Sequence, residues 1–295
     1  MTAYTHSEEN TRKTYLLISL FLIILIGFGW LISRSTGNPV FLYAFAAFSS
    51  VMSVVSYWFS DKIVVALHGG VPVTRESQPE LYRIVENLAI TAGLPMPKVY
   101  VVPELQPNAF ATGRDKDHAA VAVTEGLLNA LDRSELEGVI AHELAHIGNK
   151  DMLLSTVVVV LVGFISVISD IFLRSAFWGG GDRDDDRGGN FAFILAIVAA
   201  IVAPIAATLI QLAVSRKREF LADSTGALIT RYPEGLASAL EKISSDRNPM
   251  RSARPATAHL WFANPLKGKK VNLGGLFLTH PPVEERILAL REMSI

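Results

Sequence analysis

The chain of 295 residues is half hydrophobic and almost neutral, with 27 Lys and Arg against 28 Asp and Glu. A net charge of −1 excludes the basic surface that general nucleic-acid binding requires, and a mean hydropathy of +0.34 is high for a soluble domain of this size. Cysteine is absent, which excludes a disulfide framework and a thiolate metal site. Any bound metal must take His, Asp or Glu as ligands.

After a short tail, residues 1–13, four apolar stretches reach the ~20 residues needed to cross a bilayer: residues 14–33, 39–60, 152–173 and 191–215. Arg12-Lys13 ahead of the first also fits a signal peptide. The run is longer than a typical signal core, however, and a second follows within six residues, so a retained anchor is expected. The first two stretches then form an N-terminal transmembrane hairpin, residues 14–60. The third carries Asp170 near its end and Pro204 interrupts the fourth, so this second hairpin, residues 152–215, either spans or is re-entrant. Its Gly/Asp-rich connection, residues 179–190, reads as a disordered linker. With four spans, Arg12-Lys13, Lys62, Lys150 and Arg216-Lys217-Arg218 share one side of the membrane, and Arg34, Arg174, Arg183 and Arg187 the other. The basic bias puts both termini in the cytoplasm.

The soluble mass comes in two pieces, residues 61–151 and 216–295. In the first, Ser77-Gln78-Pro79-Glu80 has the pattern of a capping box that opens a helix to about Ala92. Val-rich residues 98–102 and 119–123 read as short strands. Between them, Asn108, Ala109 and Phe110 begin a run of small residues around one aromatic. A strand edge of that kind admits an extended peptide, though an ordinary loop fits as well. Ser134-Glu135-Leu136-Glu137 is a second capping pattern. On the helix that it opens, Leu136, Ile140, Leu144 and Ile147 form an apolar stripe. The expectation is a helix packed on one face and free on the other.

That other face carries His142-Glu143-Leu144-Ala145-His146. Histidines four apart lie about 40° apart around a helix, so both imidazoles can bind one zinc ion. Glu143 projects toward the same pole, where its carboxylate can take a proton from an activated water. A catalytic zinc usually has three protein ligands. The residue six after His146, where a third histidine would continue the motif, is Met152, and none of His6, His68, His118, His259 and His280 sits in a helical pattern with an acid. Glu219 and Asp223 do share a helical face. One can bind the metal while the other accepts the free N–H of a ligating histidine. Asp151, just after the zinc helix, either plays that second part or caps the following span. Trp261 and Phe262 could touch substrate, but core is their commoner place. If the connections stay helical, His146 and Glu219 each lie within about 10 Å of the end of a span.

Taken together, these motifs resemble the HtpX-type membrane metalloproteases, relatives of the CaaX prenyl endopeptidases. The resemblance rests on two N-terminal spans, His-Glu-x-x-His running into a third, Glu219-x-x-x-Asp223 after a fourth, and the tail Thr279-His280-Pro281-Pro282-Val283-Glu284-Glu285-Arg286-Ile287. It implies a mainly α membrane protein with four transmembrane or membrane-embedded helices. A cytoplasmic α+β, gluzincin-like zinc peptidase domain with a short sheet would complete it. It also implies one zinc ion per subunit on His142, His146 and Glu219, with Glu143 as general base. His280 is the candidate donor to the oxyanion, with Arg286 assisting it. The implied activity is cleavage of misfolded or damaged membrane proteins at the cytoplasmic face of the cell membrane. A CaaX-type processing protease and a non-catalytic zinc-stabilised scaffold are the competing readings.

Overall fold

The structure, a computed structural model, describes residues 3–178, 215–266 and 281–294. Two of the described helices are long and apolar enough to cross a membrane: Asn10–Arg34, within α1 (Ala3–Thr36), and Val40–Trp58, which is α2. The burial of α2 is inverted relative to a soluble helix. The buried residues of α2 are Ser49, Ser53 and Ser56, whose hydroxyls donate to carbonyls of their own helix. Val40, Phe41, Tyr43, Val51 and Val54 face outward. Small residues inside and large apolar ones outside is the pattern of a helix solvated by lipid. The third expected span begins α7 (Asp151–Trp178). Its first turns are enclosed by protein: Leu153, Val157 and Leu161 pack on Phe21, Leu25 and Phe28 of α1. Most of the fourth expected span, the 179–190 linker and the side chain of Asp170 lie outside the described residues.

A mixed four-stranded sheet has the order β1-β2-β4-β3, with β1 (Val71–Pro72), β2 (Lys98–Val102), β3 (Ala109–Gly113) and β4 (Ala119–Thr124). β2 and β4 are parallel, and β3 runs antiparallel to β4 at one edge. The two-residue period of a strand sends Ala119, Val121 and Val123 to one face and Ala120 and Ala122 to the other. The first face packs on α4 (Pro79–Thr91), α5 (Glu125–Ala130), α6 (Arg133–Gly148), α8 (Arg216–Thr230), α9 (Pro233–Ser245) and α10 (Val283–Arg291). The second meets α3 (Ser60–Leu67), Val159 of α7, and Leu260 and Trp261.

Four sequence expectations change here. Helix α4 has no side-chain cap at Gln78, because Ser77 bonds Thr74 instead; Pro79 at the first turn sets its start. Helix α6 starts from Asp132, whose side chain accepts from Glu135 N–H while the Glu135 carboxylate accepts from Asp132 N–H. Ser134 lies inside the first turn. Nor is α6 free on one face: Leu136, Ile140, Leu144 and Ile147 are buried in the core, and His142 and Glu143 are buried as well. Between α6 and α7 the chain bends by 85°, with Lys150 in the left-handed region at φ 57°. The connection from His146 to the third apolar run is therefore a corner rather than a continuous helix.

Candidate active site

The site forms where α8 crosses α6. Gly226 makes the crossing close, since a Cβ there would lie 2.9 Å from His142 N. One and two turns earlier on α8, Asp223 and Glu219 meet the two histidines. His142 Nε2 lies 3.1 Å from His146 Nε2 and 3.9 Å from Glu219 Oε2, and His146 Nε2 lies 3.6 Å from Glu219 Oε1. Ligand atoms about 2.1 Å from a tetrahedral ion are about 3.4 Å apart, so this set fits one metal. The opposite ring nitrogens face carboxylates: His142 Nδ1 is 2.9 Å from Asp223 Oδ1, off the axis of an ideal hydrogen bond, and His146 Nδ1 is 3.1 Å from Asp151 Oδ2. Each imidazole is thereby oriented with Nε2 toward the common point.

Charge favours a cation there. Burial alone pulls the His146 ring down, but the Asp151 hydrogen bond and the Glu219 and Asp151 charges outweigh it and raise the ring to about 9. For His142, burial dominates and lowers the ring to about 4. Burial also lifts the Glu143 carboxyl to about 7, against the nearby His146 and a hydrogen bond from Ala111 N–H. Arg286, 1% exposed, donates through Nε and Nη2 to both oxygens of Asp223, at 2.8 and 2.7 Å. Its Nη1 lies 3.7 Å from Glu219 Oε2. Both Arg286 and His142 rest on the ring of Phe262, each 5.0 Å from its centroid. Arg286 thus holds the helix that carries Glu219 and Asp223, whereas His280, its expected partner, lies outside the described residues.

An open cleft runs past these groups, lined also by Ala111, Ser155, Ser215, Arg218 and Trp261. The segment bearing Trp261 and Phe262 is pinned at two places. Glu104 accepts from Arg251 N–H and Ser252 N–H, and Asn108 donates to Ala263 C=O while accepting from Ala263 N–H. Asn108, Ala109 and Phe110 are fully buried. Ala109 C=O accepts from Phe262 N–H, and Phe110 packs on Trp261. Of the expected substrate strand, it is the next residue, Ala111, that reaches the cleft. Arg218 and His259 also line the cleft. Arg218 Nη1 lies 3.7 Å from Asp151 Oδ1, and His259 Nε2 lies 3.2 Å from Ser155 C=O. Neither position carries a spacing signal.

Two buried histidines, a glutamate between them in sequence and a facing carboxylate, on a domain packed against helices that suit a bilayer, have the make-up expected of a membrane metalloprotease. Comparison with known proteins agrees. The profile of peptidase family M48 matches residues 75–294. Proteins named Protease HtpX homolog are similar along the whole chain. That of Caldanaerobacter subterraneus subsp. tengcongensis is 48% identical over all of this chain and 99% of its own, and that of Pyrococcus furiosus is 50% identical over 96% of each. The crystal structure of S. mikatae Ste24p aligns at a TM-score of 0.47 and 19% identity, over 93% of this chain and 62% of that one. The chain belongs to peptidase family M48, as a metalloprotease of the HtpX type.

Proposed function

We propose that this protease is a zinc endopeptidase that cuts misfolded or damaged membrane proteins at the cytoplasmic surface of the cell's inner or plasma membrane, in quality control under stress. The observation that carries the reading is the convergence of His142, His146 and Glu219, whose ligand atoms lie within 4.8 Å of one another, beside the buried Glu143. His142, His146 and Glu219 would hold a zinc ion, which would supply Lewis-acid chemistry for a peptide carbonyl and an activated water.

The chain's own residues do the rest. Glu143, buried beside the proposed metal ligands, takes the proton of the attacking water and returns it to the leaving amine. Asp151 and Asp223 keep both imidazoles in the tautomer that offers Nε2. β3 is the sheet's edge strand, and Ala111 lines the cleft, so an extended substrate adds alongside β3 beyond Ala109. Extended, unfolded segments suit that mode. His280 is assigned to the developing oxyanion. The basic residues Lys62, Lys150 and Arg216-Lys217-Arg218 favour a cytoplasmic site.

Two measurements test this. The purified wild type should hold one zinc per chain by elemental analysis and cleave an unfolded membrane-protein substrate, and Glu143→Gln should keep the zinc and lose cleavage. Undiminished cleavage by Glu143→Gln would refute the mechanism. His280→Ala should lower kcat by about 10²–10³-fold with little change in KM. Cleavage confined to one prenylated peptide would point instead to a dedicated processing protease.

A further inference from the structure

The buried stripe of α1 changes character toward its N-terminal end. Leu17, Phe21, Leu25 and Phe28 are apolar, but the turns before them place Asn10 and Thr14 on the same stripe, 4% and 1% exposed. A buried carboxamide on a membrane-spanning helix is costly unless it is bonded. Asn10 Nδ2 donates to Asp151 Oδ1 at 2.7 Å, and Thr14 Oγ1 donates to Asn10 C=O at 2.9 Å. The second oxygen of the same carboxylate, Asp151 Oδ2, is the one 3.1 Å from His146 Nδ1. One carboxylate therefore joins the first membrane helix to the imidazole of a metal-site histidine.

The geometry also explains why Asp151 needs a second partner. A carboxylate bonded only through Oδ2 can swing about its Cβ–Cγ bond. A donor fixed on Oδ1 removes that freedom, and Arg218 at 3.7 Å is too far to do so by a short bond. Asn10 is itself fixed by the packing of Phe21, Leu25 and Phe28 on Leu153, Val157 and Leu161, one helix of which begins at Asp151.

We propose that Asn10 is a positioning residue of the metal site, acting through Asp151 on His146, so that the Asn10–Asp151 hydrogen bond sets how tightly the metal is held. The inference rests on reading His142, His146 and Glu219 as zinc ligands. Removing a direct partner of a ligating histidine costs about 10–100-fold in metal affinity; one step further out, Asn10→Ala should raise the zinc Kd by about 3–10-fold.

The test measures zinc Kd of the full chain in detergent by competition with a chelating dye. The variants are Asn10→Ala, Asn10→Gln, Asp151→Asn, Asn10→Ala with Asp151→Asn, and Leu17→Ala, each with its melting temperature. Gln, which keeps the amide donor, should recover part of the affinity. In the Asp151→Asn background, Asn10→Ala should change little, since the pair acts as a unit. Leu17→Ala, which loosens the same stripe without touching the bond, should lower the melting temperature and leave Kd near the wild-type value. Asn10→Leu, apolar and of similar size, serves the same comparison if the Ala variant does not fold. The inference is overturned if Asn10→Ala binds zinc like the wild type, if its effect is the same with and without Asp151, or if Leu17→Ala weakens zinc equally. A wild type that binds no zinc would overturn the metal reading itself, and this inference with it.

Discussion

Arg286 shows how one buried charge holds a site together. Its bond to both oxygens of Asp223 leaves that carboxylate held low by the guanidinium, despite burial that pushes it up. Removing the cation strands a buried anion, so Arg286→Met should destabilise the protein by about 3–5 kcal/mol in denaturant unfolding. Lys would restore the charge without the two-pronged geometry. His68 makes a second, independent prediction. It is buried between Phe110 and Trp261, and burial first, with Arg254 assisting, pushes its ring down to about 4. An unfolded histidine titrates near 6.5, so between about 6.5 and 4 the unfolded chain binds more protons. The stabilisation from the neutral ring is complete above that window and is lost as pH falls through it, by about 3 kcal/mol in all. His68→Phe should flatten this part of the pH dependence of the melting temperature, an outcome that unchanged curves would contradict.

Helix ends and crossings decide where the catalytic groups point. Asp132→Ala removes the cap of α6 and should cost about 1 kcal/mol, whereas Ser134→Ala, inside the first turn, should cost much less. Equal losses in thermal unfolding would restore Ser134 as the cap. The crossing of α6 and α8 is stricter. Gly226→Ala puts a methyl 2.9 Å from the backbone of His142 and should cost about 1–3 kcal/mol. It should also weaken zinc binding, because the same helix carries Glu219 and Asp223. A Cβ at Gly148, in contrast, meets only Leu94 methyls at 3.9 Å. Gly148→Ala should therefore leave both zinc affinity and melting temperature unharmed.

At the scale of the molecule, the peptidase and membrane parts share contacts rather than a linker. Besides the α1–α7 packing, Arg114, just beyond β3, stacks its guanidinium 4.2 Å over Trp58 at the end of α2 and donates to Trp58 C=O at 3.3 Å. The edge strand that lines the cleft is thereby tied to the second span. Such ties hold the cleft beside the end of α2, so the proposed cytoplasmic placement fixes where each part of the chain is exposed. Because the chain has no cysteine, single replacements report that side cleanly. Asn38→Cys, between α1 and α2, should react with a membrane-impermeant maleimide on intact cells. Glu76→Cys, in the peptidase domain, should react only after lysis. The reverse result would overturn the cytoplasmic placement.

What the sequence determined by itself were the parts whose signal is local. The His142–His146 helix is legible because two histidines at four-residue spacing must share a face, and the first two apolar helices because a bilayer demands long apolar runs. β2 and β4 are legible from β-branched residues. Glu219 and Asp223 were legible as a pair on one helical face, with Glu219 as the expected ligand. Only the tertiary structure decided the rest, because it depends on contacts between distant residues. Arg286 acts on Asp223, 63 positions away, and Asn10 on Asp151, 141 positions away. Asn108, Ala109 and Phe110 are buried because a segment more than 150 residues later covers them, and no periodicity in either stretch records that pairing. The chemistry of the site follows from residue types at short spacing. Its orientation and its coupling to the membrane follow from packing.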